Sequence, residues 1–512
     1  MTQAMIITAF VLYIVMMLLV GYYFSHKNNS SSSEFYLGGR QLGPFVAAMS
    51  AEASDMSSWL LMGIPGLAFI TGFASPFWTV LGLGIGTYLN WLFTTKRLHR
   101  YTIRLGAVTI PEFLSKRYHD KHNVLMAISA IVILIFFIPY TSAGFKAVGV
   151  LLDNLFGMGY HNAMLVGIVV ILAYTIMGGF MAVATNDLIQ SIVMTIALII
   201  VVCFVLSLAG GIDGVMQNAQ ALPGYLSALD VHDVATGNAK PYGFLNIIST
   251  MAWGLGYFGM PHILVRFMAF KREEDMKLSR RIATVWVFIS MFVAIAIGII
   301  GYTVAKNGFL PMYATTSEAE STIIDLSNVL ATYGLVAAFI AGIVLAGILA
   351  STVSTADSQL LAAASAFSEN VVRDVLGWKV DAKTSMYVAR GTIVFISFIA
   401  LFLAWNPDSS IFTIVSFAWA GFGAAFGPVM LASLFWRRTT LSGAISGMVV
   451  GGIMIFVWKY LIAPIGGVWG IYELLPAFIC SALTIVIVSL CTEKPSEQIL
   501  SEFDSIKDCN RK

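Results

Sequence analysis

Charge is what this chain has least of. Asp, Glu, Lys and Arg make up only 11% of its 512 residues, against about 25% in ordinary soluble domains. That scarcity excludes a water-soluble globule. The formal net charge of +2 is too small for a nucleic-acid partner. Cysteine is scarce too: Cys203, Cys480, Cys491 and Cys509. Three lie in apolar runs and no pair has metal-ligand spacing, so they read as packing residues plus one tail thiol rather than a disulfide framework. The first apolar run lacks a basic flank and an A-x-A-like site, so it reads as a retained span and not a cleaved signal. Nucleophile–base spacing is also missing, which argues against a membrane enzyme.

What is there is length and hydrophobicity. Hydrophobic residues make up 58% of the chain. They come in runs such as Ile6 to Tyr23, Ile189 to Leu208 and Leu474 to Cys491. About 20 apolar residues in a helix cross roughly 30 Å of hydrocarbon. The pattern predicts an all-α integral membrane protein with about thirteen transmembrane helices. Their ranges are 5–23, 44–70, 76–95, 124–156, 163–183, 188–209, 243–268, 284–304, 335–366, 385–404, 411–435, 441–460 and 471–491.

The basic residues test this count, because cytoplasmic loops of membrane proteins are enriched in Lys and Arg. Alternate loops are indeed basic. Lys96, Arg97, Arg100, Arg104, Lys116, Arg117 and Lys121 follow span three, and Lys271, Arg272, Lys277, Arg280 and Arg281 follow span seven. Arg373, Lys379 and Lys383 follow span nine, Arg437 and Arg438 follow span eleven, and Lys494, Lys507, Arg511 and Lys512 lie in the tail. The opposite loops hold only Lys240 and Lys306. The N-terminus is therefore expected outside and the C-terminus in the cytoplasm of a multi-pass cell-membrane protein. Residues 1–492 form one transmembrane domain, and 493–512 a polar, mobile tail. The outer loops near 210–242 and 306–330 are too short for independent folds.

The hydrophobic pattern breaks in two spans. Span two carries Ser50, Glu52, Ser54, Asp55, Ser57 and Ser58 at its middle. An ionised carboxylate there costs at least about 2.5–3.5 kcal/mol, so it has a partner or a task. Ser and Asp compete for backbone groups, which predicts an unwound segment near 53–57. Asp55 can be read as the cap of the second half-helix or as part of a site, and the two are compatible. Span seven is interrupted by Gly254, Gly256, Gly259 and Pro261, with Trp253, Tyr257 and His262 around the break. A kinked packing helix would also explain those glycines. The two breaks lie five spans apart, in oppositely directed helices. Paired breaks in inverted halves point to a carrier's binding site. Span nine adds Ser351, Ser354, Thr355 and Ser358 on one helical face, beside Thr352 and Asp357. Such oxygens suit a hard cation, although hydroxyls also bond back to their own helix.

The segments SAEASDMSSWLLMGIPG, WGLGYFGMPHILVRFM, STADSQLL and AWAGFGAAFGP, with LGGRQLGPF and GIYELLP, resemble the sodium/proline symporters of the solute:sodium symporter family. The resemblance runs through nearly the whole chain. It implies a leucine-transporter-type fold with a five-plus-five inverted repeat, approximately 44–209 and 243–435. It implies sodium held by the carbonyls of Ala53 and Met56 and the hydroxyls of Ser351, Ser354 and Thr355. Asp55 and Ser57 would shape that region and the substrate site. Proline would sit beside Trp59, Tyr140, Trp253, Tyr257 and Pro261. Asp187 would lie on the sodium exit route, and Arg40 would act in inward gating. An aromatic cage suits proline's ring and ammonium, and half-helix N–H groups suit its carboxylate.

Five positions depart from that family pattern. Glu52 and Ser58 replace glycines, Met260 replaces glutamine, and Lys146 and Asp357 add charges. Proline relatives, betaines and other small amino acids therefore stay open as substrates, as does coupling to protons. A solute sensor built on a transporter core is a further alternative. Contact between spans two and nine would make Glu52 and Asp357 neighbours, raising one pKa or recruiting another cation. Alternatively, each acid pairs with a hydroxyl or backbone donor. Lys146 is expected to snorkel to the outer vestibule or to attract the substrate carboxylate. His262 is expected to be a hydrogen-bonded structural histidine rather than a proton relay.

Overall fold

The computed structural model describes residues 1–25, 32–378 and 381–506. Lys379, Lys507, Cys509, Arg511 and Lys512 lie outside the described residues. Each of the thirteen expected ranges falls on helix, either continuous, as in Val124–Phe156 and Ile411–Phe435, or interrupted. Among the described residues, eight helices are long and apolar enough on their own to cross a membrane. Trp59–Thr71, Tyr160–Ala173 and Tyr387–Leu403 are shorter apolar helices.

The helices are inverted relative to a soluble protein. Large apolar side chains such as Leu19, Val169, Phe395 and Ile487 face outward, while Ser50, Asp55, Asp187, Ser354 and Asp357 are buried. This is the arrangement hydrocarbon requires, because polar groups there must be satisfied within the protein.

Span two ends its first half at Ala53 (Pro44–Ala53) and resumes through a wide π turn, Trp59–Gly63, into Ile64–Thr71. The irregular stretch is 54–57, as the Ser/Asp content predicts. Span seven comprises Phe244–Met251, a tight 3-10 segment Ala252–Gly259, and Pro261–Met268. Pro261 opens the second half, where its missing N–H costs nothing. Gly256 leaves no room for a side chain because the Trp419 indole lies against it. Spans five and six meet at Gly179 (φ 61, ψ 178) inside Tyr160–Leu208. Span six therefore begins about eight residues before the expected 188, and Asp187 sits about two turns inside it. Hydrophobicity alone runs straight through that turn.

Contacts between helix ends sort into two sets. On one side, Arg100 clasps Glu273 through two bonds of 2.7 Å. Burial pushes the Glu273 carboxyl up, but Arg100 and Lys96 together carry it below its ordinary value. On the other side, Gln3 reaches the Leu155 carbonyl (3.2 Å) and Asn328 reaches Asn154 (2.7 Å). The basic loops after spans three, seven and eleven share the first side with the tail.

Residues 497–505 of the tail are not the mobile segment expected. Glu497–Ser505 is a helix capped by the Ser496 hydroxyl. It is amphipathic, with Ile499 and Phe503 buried. Phe503 lies between the guanidinium groups of Arg97 (5.2 Å) and Arg117 (5.0 Å). Glu502 meets His119 at 2.9 Å and Asp504 meets Arg437 at 2.9 Å. The loop after span six is also ordered: Asp230–Asp233 pairs antiparallel with Asn238–Pro241.

Phe503 is the anchor of the tail helix, since exposed ion pairs add only about 0–1 kcal/mol each. Phe503→Ala should therefore release residues 497–505, at a local cost of about 3 kcal/mol. Amide exchange across 497–505 should become fast while the spans stay protected. Unchanged protection of that segment would contradict the anchoring role.

Candidate functional site

The two broken helices meet at Asp55. Its carboxylate Oδ2 accepts a 2.5 Å hydrogen bond from the Tyr257 hydroxyl in the 3-10 segment. Its backbone carbonyl accepts from the Trp59 indole (2.9 Å) and from the Tyr140 hydroxyl (3.2 Å) on Val124–Phe156. Three of the expected site residues thus converge on the fourth. Trp253 completes the cluster, 6.0 Å from Trp59 between ring centroids. Pro261 follows one turn beyond Tyr257, and Ser57 lies in the break with its N–H on the Asp55 carbonyl (2.8 Å).

Aromatic residues outside the expected set close this cluster. Trp419 stacks edge-on to Tyr257 (5.0 Å) and donates to the Trp253 carbonyl (2.7 Å). Phe412 and Tyr472 face Trp253 at 5.2 and 5.4 Å. Trp419 and Tyr472 lie inside motifs already singled out, AWAGFGAAFGP and GIYELLP. Phe412 carries no sequence signal beyond its position at a helix start. Trp59, Tyr140, Trp253 and Tyr257 are all buried, so the cluster is closed to solvent.

Leu335–Ser365 runs beside the first break. The Ser354 and Thr355 hydroxyls donate to the Ala53 carbonyl at 2.8 and 3.4 Å. That carbonyl ends the first half-helix and has no helical N–H to receive. Ser351 turns its hydroxyl to Ile348 of its own helix (2.8 Å). Met56 is buried beside them, and its N–H goes to the Glu52 carbonyl (2.8 Å). Hard oxygen donors from two helices therefore sit together, the chemistry an alkali cation takes.

Toward the basic-loop side lies a buried charged network that the sequence reading missed. Arg266, on Pro261–Met268, donates to Ser50 (3.0 Å), Asp187 (3.1 Å), Ser358 (2.6 Å) and the His262 carbonyl (2.6 Å). Ser50 also donates to Asp187 (2.6 Å). The guanidinium ties both broken helices to span six and span nine. An arginine inside a broken apolar helix is itself the signal that would have found it. Arg40 does related work at the surface. It donates to the Met268 carbonyl (2.5 Å), Ala107 carbonyl (2.8 Å) and Thr102 hydroxyl (3.2 Å).

Two expectations fail here. Glu52 and Asp357 are not neighbours. Glu52 takes the Trp91 indole N–H (2.9 Å) on the far side of its half-helix. Asp357 receives Ser358 (3.4 Å), and its other carboxylate oxygen has no partner among the described residues. Contact between two helices does not bring together side chains that point away from the seam. Lys146 does not snorkel. It is buried, 3.2 Å from Ser317 and 4.0 Å from Glu320. Glu320 caps Ile411–Phe435, receiving Ser410, Ile411 and Phe412, and that acid holds the lysine inside. His262 lies against the Ser54 backbone at the first break, although neither ring nitrogen makes a hydrogen bond of full geometry.

Arg266→Met would leave Asp187 buried without its counter-charge, a loss of about 3–5 kcal/mol. Adding Asp187→Asn in the same chain should recover most of it. Thermal melting of the two variants in detergent checks this, and equal melting temperatures would refute the pairing.

Comparison with known proteins agrees with this geometry. The profile of the Sodium:solute symporter family matches residues 35–451. The chain is 39% identical over 476 residues to the high-affinity proline transporter PutP of Bacillus subtilis (strain 168), covering 93% of this chain and 96% of that one. It is 36% identical over 485 residues to the sodium/proline symporter of Staphylococcus aureus, covering 93% and 91%. Among solved structures, a Na+-coupled sialic acid symporter in a substrate-bound outward-open state superimposes with a TM-score of 0.78 at 17% identity, covering 96% and 99%. Mhp1, a nucleobase-cation-symport-1 family transporter, superimposes in a closed conformation with a TM-score of 0.55 at 13% identity, covering 93% and 99%. Fold, paired breaks and sequence likeness agree: this chain is a multi-pass membrane transporter, not an enzyme, and it belongs to the sodium:solute symporter family.

Proposed function

We propose that this protein carries L-proline into the cell, driven by sodium and by alternating access. The observation that carries the reading is the junction at Asp55, where both broken helices, an aromatic cluster and the hydroxyls of span nine meet. The relatives named for proline transport span nearly the whole chain. Sodium binds between Ala53 and Met56 carbonyls and the hydroxyls of Ser351, Ser354 and Thr355. The Ala53 carbonyl already faces two of those hydroxyls. Ser351 joins by turning away from Ile348. Proline's ring lies among Trp59, Tyr140, Trp253 and Tyr257, next to Pro261. Asp55 and Ser57 fix the unwound backbone against which its polar end rests.

On this reading all thirteen ranges cross the bilayer, and spans two to eleven form the inverted repeats 44–209 and 243–435. The basic-loop side is cytoplasmic, which places the N-terminus outside. The layer of Arg266, Asp187 and Asp357 then lies on the cytoplasmic side of the site, on the route sodium takes inward. Arg40 holds the inner ends of the broken helices, the place where inward opening begins.

Reconstituted protein should accumulate radiolabelled proline under an inward sodium gradient and not without one. Ser354→Ala and Thr355→Ala should each raise the half-saturating sodium concentration about tenfold, the worth of roughly 1.4 kcal/mol. Accumulation without sodium, or unaltered sodium dependence in both variants, would overturn the ion assignment. Orientation has a separate check. A cysteine at Thr236, exposed in the outer hairpin, should react with an impermeant maleimide added to intact cells. Labelling only after the cells are opened would invert the topology.

A further inference from the structure

Two buried carboxylates at the first break have no counter-charge in that account. Glu52 is 1% exposed and Asp55 is 0% exposed. The buried ion pairs use other acids, Asp187 and Glu320. Arg266 and Arg40 turn their N–H groups to Asp187 and to backbone carbonyls. Glu52 receives the Trp91 indole and Asp55 the Tyr257 hydroxyl, each on one oxygen. The second oxygens, Glu52 Oε2 and Asp55 Oδ1, have no partner among the described residues. The two acids also lie within range of each other's charge. Buried carboxylates without a cation are costly, and more so inside a membrane span.

Span three brings further oxygens to the same place. Its helix Ala74–Leu89 passes into a wide π turn, Asn90–Thr94, a distortion that recurs at functional sites. Thr87, Asn90 and Trp91 share one face of it. That face lies close to the 3-10 segment of span seven, where Gly86 meets the Gly254 backbone. The Asn90 amide nitrogen donates to the Tyr257 carbonyl at 3.0 Å. A carbonyl only accepts, so the nitrogen must face it and the amide oxygen is left over. That oxygen is buried and has no partner among the described residues. The Thr87 hydroxyl, also buried, lies against the Tyr257 hydroxyl without a hydrogen bond of full geometry. Tyr257 thus links the set, with its hydroxyl on Asp55 and its carbonyl on Asn90. Carboxylate and amide oxygens accept but cannot donate, so they cannot satisfy one another. A hard cation answers all of them at once.

We propose that Glu52, Thr87 and Asn90, with Asp55, form a second sodium site on the span-three face of the broken helix. The inference rests on the sodium-driven reading and not on proline as the solute. Ser354 and Thr355 reach Ala53 from span nine, whereas Trp91 reaches Glu52 from span three. The half-helix therefore carries one ion on each face. Two carboxylates balance two monovalent ions. The second ion ties the first half-helix to span three and, through Tyr257, to the other broken helix.

Equilibrium binding of radioactive sodium to the purified full-length protein tests this. The wild type should bind two ions per chain. Glu52→Gln keeps the shape and an acceptor for Trp91, and it should bind one. In the double variant Ser354→Ala, Thr355→Ala the ion at Ala53 should weaken about a hundredfold, leaving the ion at Glu52. Thr87→Val replaces a hydroxyl with a methyl group of similar size. It should raise the half-saturating concentration of one ion about tenfold and that of the other less than twofold. Should Glu52→Gln fail to fold, Thr87→Val carries the test alone. One ion per wild-type chain, two ions that survive Glu52→Gln, or unaltered binding in Thr87→Val would overturn the proposal. So would a Glu52→Gln variant that keeps two ions and loses only proline affinity, which would make Glu52 a substrate ligand. A wild-type chain that binds no sodium would instead remove the ion reading beneath it.

Discussion

A helix interrupted in hydrocarbon exposes peptide groups that water cannot reach, and everything at the centre of this protein answers that problem. The break at 54–57 leaves the Ala53 carbonyl without a helical N–H and turns the Asp55 carbonyl to the Ser57 N–H and the Trp59 indole. Side chains from three other elements supply donors: Ser354 and Thr355 to Ala53, Tyr140 to Asp55, and Tyr257 to the Asp55 carboxylate. An unmet buried group costs about 1–3 kcal/mol, so the break persists only because these neighbours are in place. The dependence runs both ways. Tyr257 itself lies in the second interrupted helix, and the two irregular segments hold each other in shape.

Buried charge follows the same logic. Two layers of ion pairs flank the aromatic cluster. Arg266 with Asp187 lies toward the basic loops, and Lys146 with Glu320 lies on the opposite side. Each pair joins elements far apart in sequence. Replacing a buried pair by apolar residues is often neutral, so such pairs are weak grounds for stability. Their value here is positional. Arg266 reads the relative placement of both broken helices, span six and span nine at once. Glu320 fastens the start of Ile411–Phe435, and with it Phe412, against Trp253.

The fold was legible in the sequence because hydrocarbon imposes simple rules of length and polarity. Spans announce themselves as apolar runs, and breaks announce themselves as Ser, Asp, Gly and Pro where such residues are expensive. Asp55 was legible for that reason, with Tyr257 beside the second break, whereas Trp59 and Tyr140 came only with the family resemblance. What stayed hidden depends on the direction of side chains. Glu52 and Asp357 sit on helices that touch, but only rotation about each axis decides that Glu52 meets Trp91 and Asp357 meets Ser358. Lys146 lay near a helix end and looked free to reach water, and its partner is 174 positions away. The Gly179 turn was invisible because the residues around it are apolar on both sides. The tail read as mobile because its buried apolar residues Ile499 and Phe503 matter only against a surface built from two distant loops.

The hydrogen bonds at Ala53 carry a consequence for coupling. The Ser354 and Thr355 hydroxyls act as donors, and one carbonyl serves both. A cation at the same place accepts electron pairs from all three oxygens, so the hydroxyl protons must turn elsewhere. Ion binding therefore exchanges directional hydrogen bonds for a non-directional attraction that tolerates only a narrow range of separation between spans two and nine. A ligand shifts an equilibrium only through its differential affinity for the two states, and here the difference is that separation. Any motion that widens the gap between Ala53 and Ser354 costs the ion its ligands. The same motion disturbs Asp55 one peptide plane away, and through it Tyr257 and Tyr140. On the proposed reading, sodium and proline would share a backbone segment of three residues, and neither would bind well to a conformation that the other disfavours.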